Sequence, residues 1–317
     1  MLVLLFSQPV SADWHRQEAA IMGTNVSVEL WHEDAGQARE LADAVLGEMR
    51  RIDDLMSTYK PGSMISRVNR NAATLPVPVN EEVLLLITLS LEYSELTQGA
   101  FDITYASAGQ HYDYRKGKSP DSEQLKEALP AIDYHHVRLN HADTSVSFLR
   151  KGVRIDLGGI AKGYAVDRGI GILQQAGIRN ALVSAGGDTR VIGKRWDRPW
   201  NVGIRDPRRQ DKIVSLIPLE DAAISTSGDY ERFFEKDGVR YHHILNPGTG
   251  KSSRGVHSTS IIGQTSINTD ALSTSVFVLG VEKGLQLINS IEDTEAVIVD
   301  NRGRLHYSNG LEQVARN

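Results

Sequence analysis

Val153-Arg154-Ile155-Asp156-Leu157-Gly158-Gly159-Ile160-Ala161-Lys162-Gly163 is the stretch on which the fold turns. Its first five residues read as a strand, the glycine pair ends it, and a helix then runs to about Ala176, where Gly177 stops it. The next strand, Ala181-Leu182-Val183-Ser184-Ala185, ends at Gly186-Gly187-Asp188. A glycine pair between strand and helix stands where a dinucleotide loop would stand, yet its spacing is not Gly-x-Gly-x-x-Gly. A Gly-x-x-x-x-Gly-Lys-Ser/Thr run occurs nowhere, which excludes a P-loop. Two glycines at a helix N-terminus let a ligand approach backbone amides and carbonyls closely, with Asp156 at the strand end and Lys162 one turn into the helix. Taken alone, the turn fits simple strand-to-helix packing as well as it fits a ligand loop.

Working outward, Val26 to Leu30 alternates as a strand, and Ala38, Leu41, Ala42, Val45, Leu46, Met49 and Ile52 recur at helical spacing between Ala35 and Ile52. A second helix spans about Glu81 to Leu96 and ends at Gln98-Gly99, and the polar stretch from Asp113 to Glu123 reads as an exposed excursion. Towards the C-terminus strands dominate. Phe233 to Glu235 and Val239 to Tyr241 flank Asp237-Gly238, a hairpin signal, and Ser258 to Ile262 is a strand. A helix from about Asn268 to Leu279 stops at Gly280, a second begins near Glu282, and Ala296 to Val299 pairs with Arg304 to Tyr307. The fold class is therefore α+β: one large mixed domain with a mostly antiparallel sheet flanked by helices.

The composition narrows the chemistry. Of 317 residues, 35 are Lys or Arg and 40 are Asp or Glu, a net charge of −5, which offers no general attraction for nucleic acid. Cys is 0, so disulfides, thiolate metal sites and a cysteine nucleophile are all excluded, and any metal must sit on oxygen or imidazole. Asp270 and Thr274 are four apart on one helical face, a carboxylate and a hydroxyl suited to magnesium. The same pair also fits an N-terminal helix carboxylate and a threonine bonded back to the helix. His243 lies at a strand end beside Asn246-Pro247-Gly248, where a histidine is as readily structural as catalytic. Ser225-Thr226-Ser227 is a hydroxyl-rich strand end without the Gly-x-Ser-x-Gly elbow of a serine nucleophile.

Together these segments resemble the FAD:protein FMN transferases, the ApbE-type flavin transferases, from Ala20 to Tyr307. The matching segments fall in family order: Met22-Gly23-Thr24, Ser57-Thr58-Tyr59, Gly99-Ala100-Phe101-Asp102-Ile103-Thr104, Ile155 to Tyr164, Val183 to Asp188, Ile224 to Tyr230, His243 to Gly250, and Asp270-Ala271-Leu272-Ser273-Thr274. Two departures stand out. Tyr105-Ala106-Ser107-Ala108-Gly109-Gln110 replaces the Gly-Pro and Trp-Gly of many members, and Asn246 stands where many have Asp.

The resemblance implies an ApbE/T-fold-like architecture and magnesium-dependent transfer of FMN from FAD to a threonine or serine hydroxyl of an acceptor protein, with release of AMP. It implies metal binding by Asp270, Thr274 and the carbonyl of Gly159, and FAD contacts from Met22, Tyr59, Ala100, Phe101, Asp102, Asp156, Lys162 and Leu245. Tyr59 and Met22 suit a ring system, the carboxylates suit hydrogen-bond donors, and Lys162 suits phosphate. His243 takes the functional histidine position as general base, with Asp270 beside it in the catalytic set; an unperturbed imidazole would raise the rate across roughly pH 6 to 7. The implied acceptors carry an Asp-x-x-Ser/Thr-Gly-Ala-Thr type motif and are periplasm-facing subunits of membrane redox complexes. An FAD pyrophosphatase with water as nucleophile, and a non-catalytic flavin-binding protein, are the alternatives.

Met1 to Phe6 is apolar and Val10-Ser11-Ala12 resembles a signal-peptidase site, so residues 1–12 are expected to be a signal peptide and 13–317 the flavin transferase domain. The expected location is the periplasm, in soluble form, since no lipobox cysteine follows; no later apolar run is expected to cross a membrane.

Overall fold

The computed structural model describes residues 13–209 and 211–311; the expected signal peptide, residues 1–12, lies outside them. The sheet is built strand after strand in chain order. Asp13–Ile21 (β1), Thr24–His32 (β2), Ala181–Ala185 (β3), Asp188–Ile192 (β4), Ala223–Gly228 (β5), Val256–Gly263 (β6), Glu295–Asp300 (β7) and Leu305–Tyr307 (β8) form one eight-stranded sheet, each strand beside its predecessor. Every pairing in it is antiparallel. The expected α+β class and antiparallel sheet are what the chain forms.

Strand alternation sends successive side chains to opposite faces, and both faces are covered. Val26, Val28, Leu30, Ala181 and Val183 point to one face, where they meet three helices, Ala35–Met56 (α1), Ala161–Gln175 (α2) and Ser266–Ile288 (α3). Leu182, Val191, Ile224, Ile262 and Val297 point to the other, where they meet Trp200, Ile204 and Leu219 of the hairpin Trp200–Arg205/Ile213–Leu219. The long segment between β2 and β3 carries a second apolar layer, including the helix Glu81–Leu96.

Three expectations change. Val153 to Leu157 is in no strand and its apolar side chains are buried, without a strand partner among the described residues. Side chains take the place of a ladder: Asn69 accepts from the Ile155 N–H at 2.7 Å and donates to its C=O at 2.8 Å, while Ser107 Oγ accepts from Arg154 N–H at 3.0 Å. The alternation was a burial signal, and burial does not require pairing. The Asp113 to Glu123 excursion is not wholly exposed, because Tyr114 stacks on Tyr112 and lies 6.3 Å from Phe234 of the hairpin Phe233–Lys236/Val239–His242. Finally, α3 is long and apolar enough to cross a membrane by length and composition. It instead lies against β5 and β6 with Thr269, Asp270, Ser273 and Ser275 buried, and, as expected, its first helical run ends at Gly280, whose backbone (φ 78°, ψ −177°) is not helical, before a second run continues.

Candidate active site

The N-terminus of α2 follows Gly158-Gly159, and its N-cap residue, Ile160, has no side chain able to cap it. The cap comes from another helix: Asp270 on α3 accepts the Gly163 N–H at 2.9 Å. The favour is returned. Thr265, the N-cap of α3, makes no side-chain cap bond, and Asp167 on α2 accepts the N–H groups of Ser266 at 2.9 Å and Ile267 at 2.8 Å. Each helix thus satisfies free amides of the other, where carboxylates are also favoured by the helix dipole. Only glycine permits the crossing at residue 163, since a Cβ there would lie 2.2 Å from the Ser266 carbonyl oxygen and 2.8 Å from the Asp270 Cβ.

Lys162 reaches between two carboxylates, with Nζ 2.5 Å from Asp188 and 3.3 Å from Asp270. Burial works against its charge, but the two carboxylates outweigh burial and hold Lys162 above the usual lysine range. Asp270 is pushed above the usual carboxylate range, first by burial and then by the Asp188 charge, with Lys162 opposing. One cation between two anions leaves the cluster one negative charge in excess. Asp188 ends the Val183 to Asp188 segment, where its position after a double glycine is the only local signal of a role.

One turn along α3, Thr274 Oγ1 lies 3.3 Å from Ser227 Oγ, which also bonds Ser273 at 2.8 Å. Ser225 meets Thr269 at 2.8 Å, so the hydroxyl row of β5 faces α3. Gly159 belongs to the same spot, because a Cβ on it would lie 3.4 Å from Thr274 Oγ1 and 3.1 Å from the Phe101 ring. Asp270, Thr274, Gly159, Lys162 and Phe101 are thus brought together. Among the described residues no cluster of three or more His, Cys, Asp or Glu side chains could hold a metal. The donors here are one carboxylate, one hydroxyl and a neighbouring glycine backbone, with surplus negative charge, which fits a hard cation that keeps its waters and not a zinc-type site.

Next to this cluster, Asp156 accepts the Thr58 hydroxyl at 2.8 Å and the Gly158 N–H at 2.7 Å, beside an exposed Tyr59. Tyr105, in the stretch that departs from the family pattern, places its hydroxyl near Gly158. Phe101 and Leu245 are buried, and Ala100 is half-buried. Asp102 is turned inward: it accepts from Thr104 N–H at 2.8 Å, the Thr104 hydroxyl at 2.6 Å and Tyr134 N–H at 3.0 Å, and its carboxyl is raised by burial. Its side chain organises the loop that carries Phe101.

His243 is half-buried, its N–H bonds the Arg232 carbonyl at 3.1 Å, and its Nδ1 is enclosed without a partner. Burial, then the charges of Arg232, His242 and Lys162, push its imidazole down to about 3. This corrects the sequence-based expectation of an unperturbed histidine, since burial, the largest cause, and the approach of Lys162 arise only in the folded chain. Met22, in the turn between β1 and β2, is half-buried and is joined to this region through Arg232 Nη2, 3.5 Å from the Met22 carbonyl.

A family profile described as the ApbE family matches residues 22–298. An FAD:protein FMN transferase of Treponema pallidum is 31% identical over 310 residues, covering 92% of this chain and 86% of that protein. One from Vibrio cholerae is 29% identical, covering 94% and 91%. Among solved structures, the ApbE protein of Thermotoga maritima superposes with a TM-score of 0.88 at 35% identity, covering 96% of this chain and 100% of that one. The flavin transferase ApbE of Vibrio cholerae follows with a TM-score of 0.85 at 27% identity, covering 96% and 99%.

Proposed function

The chain belongs to the ApbE family and is a flavin transferase acting on FAD, and from that premise we propose the finer reaction: transfer of FMN to a threonine or serine hydroxyl of an acceptor protein, with magnesium, releasing AMP. The observation that carries this reading is the meeting of Asp270 and Thr274 with Gly159 and Lys162, two motifs far apart in sequence drawn to one point.

In this reaction the acceptor oxygen bonds to the FMN phosphorus, the pyrophosphate P–O bond breaks, and AMP departs with the bond's electrons. His243 takes the hydroxyl proton; its imidazole is neutral at working pH and so is free to accept. An incoming pyrophosphate dianion offsets the cations that, after burial, depress His243, which strengthens it as a base when substrate is bound. Asp270, Thr274 and the Gly159 carbonyl would hold the magnesium ion, which when bound supplies Lewis-acid neutralisation of phosphate charge. Lys162 favours the ionised form of Asp270 against burial and the Asp188 charge, and aims it. Phe101, Leu245, Met22 and Tyr59 offer apolar and aromatic surface for the flavin, and Asp156 an acceptor for its polar groups.

Acceptors with an Asp-x-x-Ser/Thr-Gly-Ala-Thr type motif in periplasmic redox subunits, and a periplasmic home for the enzyme itself, belong to the same proposal. Incubation with FAD, magnesium and an acceptor peptide, followed by mass measurement of the peptide, tests it. The expected result is a gain of one FMN phosphoester and stoichiometric AMP. Formation of FMN and AMP with an unmodified peptide would favour the pyrophosphatase, and undiminished transfer in excess chelator would remove magnesium.

A further inference from the structure

We propose that Arg232 clamps the pyrophosphate of FAD and stabilises the departing AMP phosphate, an assignment that rests on the flavin-transfer reading above. Arg232 is exposed and stands just before the Phe233–Lys236 strand. Its backbone carbonyl is bound by the His243 N–H at 3.1 Å. Its guanidinium reaches the opposite way, across the β1–β2 turn, to within 3.5 Å of the Met22 carbonyl. Gly23, at φ +71°, makes room for it, because a Cβ there would lie 2.8 Å from Arg232 Nη2. One residue therefore joins a flavin-contact candidate to the candidate base.

The charge pattern selects Arg232 over its neighbours. Lys162 is spent on Asp188 and Asp270, Arg190 on Asp167, and Arg208 and Arg240 both on Asp229. Arg232 makes no ion pair among the described residues, and its one side-chain bond is long, leaving most of its donors free. Lys162 is paired with both Asp188 and Asp270, so apart from the proposed magnesium ion a dianionic pyrophosphate finds no uncommitted cationic side chain there. It finds one at Arg232, whose charge bears on His243 and on the half-buried hydroxyls of Tyr105 and Tyr114. A guanidinium matches phosphate in a bidentate fork, and charge builds on the AMP phosphate as the P–O bond breaks.

The test compares wild type, Arg232→Ala and Arg232→Lys in magnesium-loaded enzyme, with FMN transfer to a peptide and, separately, calorimetric binding of ADP and riboflavin. Removing one preorganised donor to developing charge typically lowers kcat by about 10²–10³-fold. Arg232→Ala is expected to show that loss with ADP binding weakened and riboflavin binding kept, and Arg232→Lys to recover part of both. Transfer within twofold of wild type in Arg232→Ala would overturn the assignment, as would equal loss of ADP and riboflavin binding, which would mark a structural staple. If wild type itself transfers no FMN, the parent reading fails, while the ADP arm still decides whether Arg232 holds phosphate.

Discussion

Gly163 and Gly171 lie in the same helix, α2, yet substituting alanine should move stability in opposite directions. Helix propensity alone favours alanine by about 1 kcal/mol at either site. At Gly171 a Cβ would meet nothing within 4 Å, so that gain stands. At Gly163 it would lie 2.2 Å from the Ser266 carbonyl, which is backbone of α3 and cannot step aside without moving the helix. Overpacking of this kind costs about 1–3 kcal/mol. Separating the helices also weakens the Asp270 and Asp167 caps, each worth roughly 1 kcal/mol. Net of propensity, Gly163→Ala should lose about 2–3 kcal/mol, a fall of roughly 4–6 °C in Tm for a chain of this size, whereas Gly171→Ala should rise by about 1–2 °C. FMN transfer should collapse in the first variant alone, because Asp270 moves with α3. Thermal unfolding of both variants beside a transfer assay decides the matter. A Gly163→Ala protein as stable as Gly171→Ala would refute the reciprocal-cap account.

Asp270→Asn should retain much of its fold, since an amide oxygen still accepts from Gly163, but should lose most transfer and its response to added magnesium. This is checked by titrating the metal against rate. His243→Ala should lose about 10²–10⁴-fold in transfer while FAD binding, followed by flavin fluorescence, persists. Because His243 is depressed to about 3, it is already neutral above that pH, so the free enzyme's kcat/KM should show no His243 step between roughly pH 5 and 8. The same depression means the unfolded chain takes up this proton first, so the His243 contribution to stability is intact above 6.5 and is lost as pH falls towards 3 in acid titrations. Asn69→Ala leaves the Ile155 N–H and C=O without their partners and should cost about 1–3 kcal/mol in denaturant melts, with Asp156 displaced and flavin binding weakened.

The helices and most of the sheet were legible in the chain because their signals are local. The apolar spacing from Ala38 to Ile52 lies on one buried face of α1, and the pairing read between Ala296 to Val299 and Arg304 to Tyr307 forms as β7 and β8. The motifs themselves were legible too, since eight short segments in a fixed order need no three-dimensional information. What tertiary structure decided is how those segments act on one another. Val153 to Leu157 has the pattern of a strand, but whether a ladder forms depends on a neighbouring strand, and here Asn69, 86 positions away, takes that place. Asp270 was read as either a dipole-favoured carboxylate or a metal ligand, and the fold shows it capping a helix other than its own, a use that no local window contains. The depressed His243 follows from burial and then from the charge of Arg232, and the charge-paired Lys162 from Asp188 and Asp270. Hydrogen-bonding propensity is written along the chain, whereas desolvation and Coulomb energy depend on distances that exist only after the sheet and the α2–α3 crossing have formed.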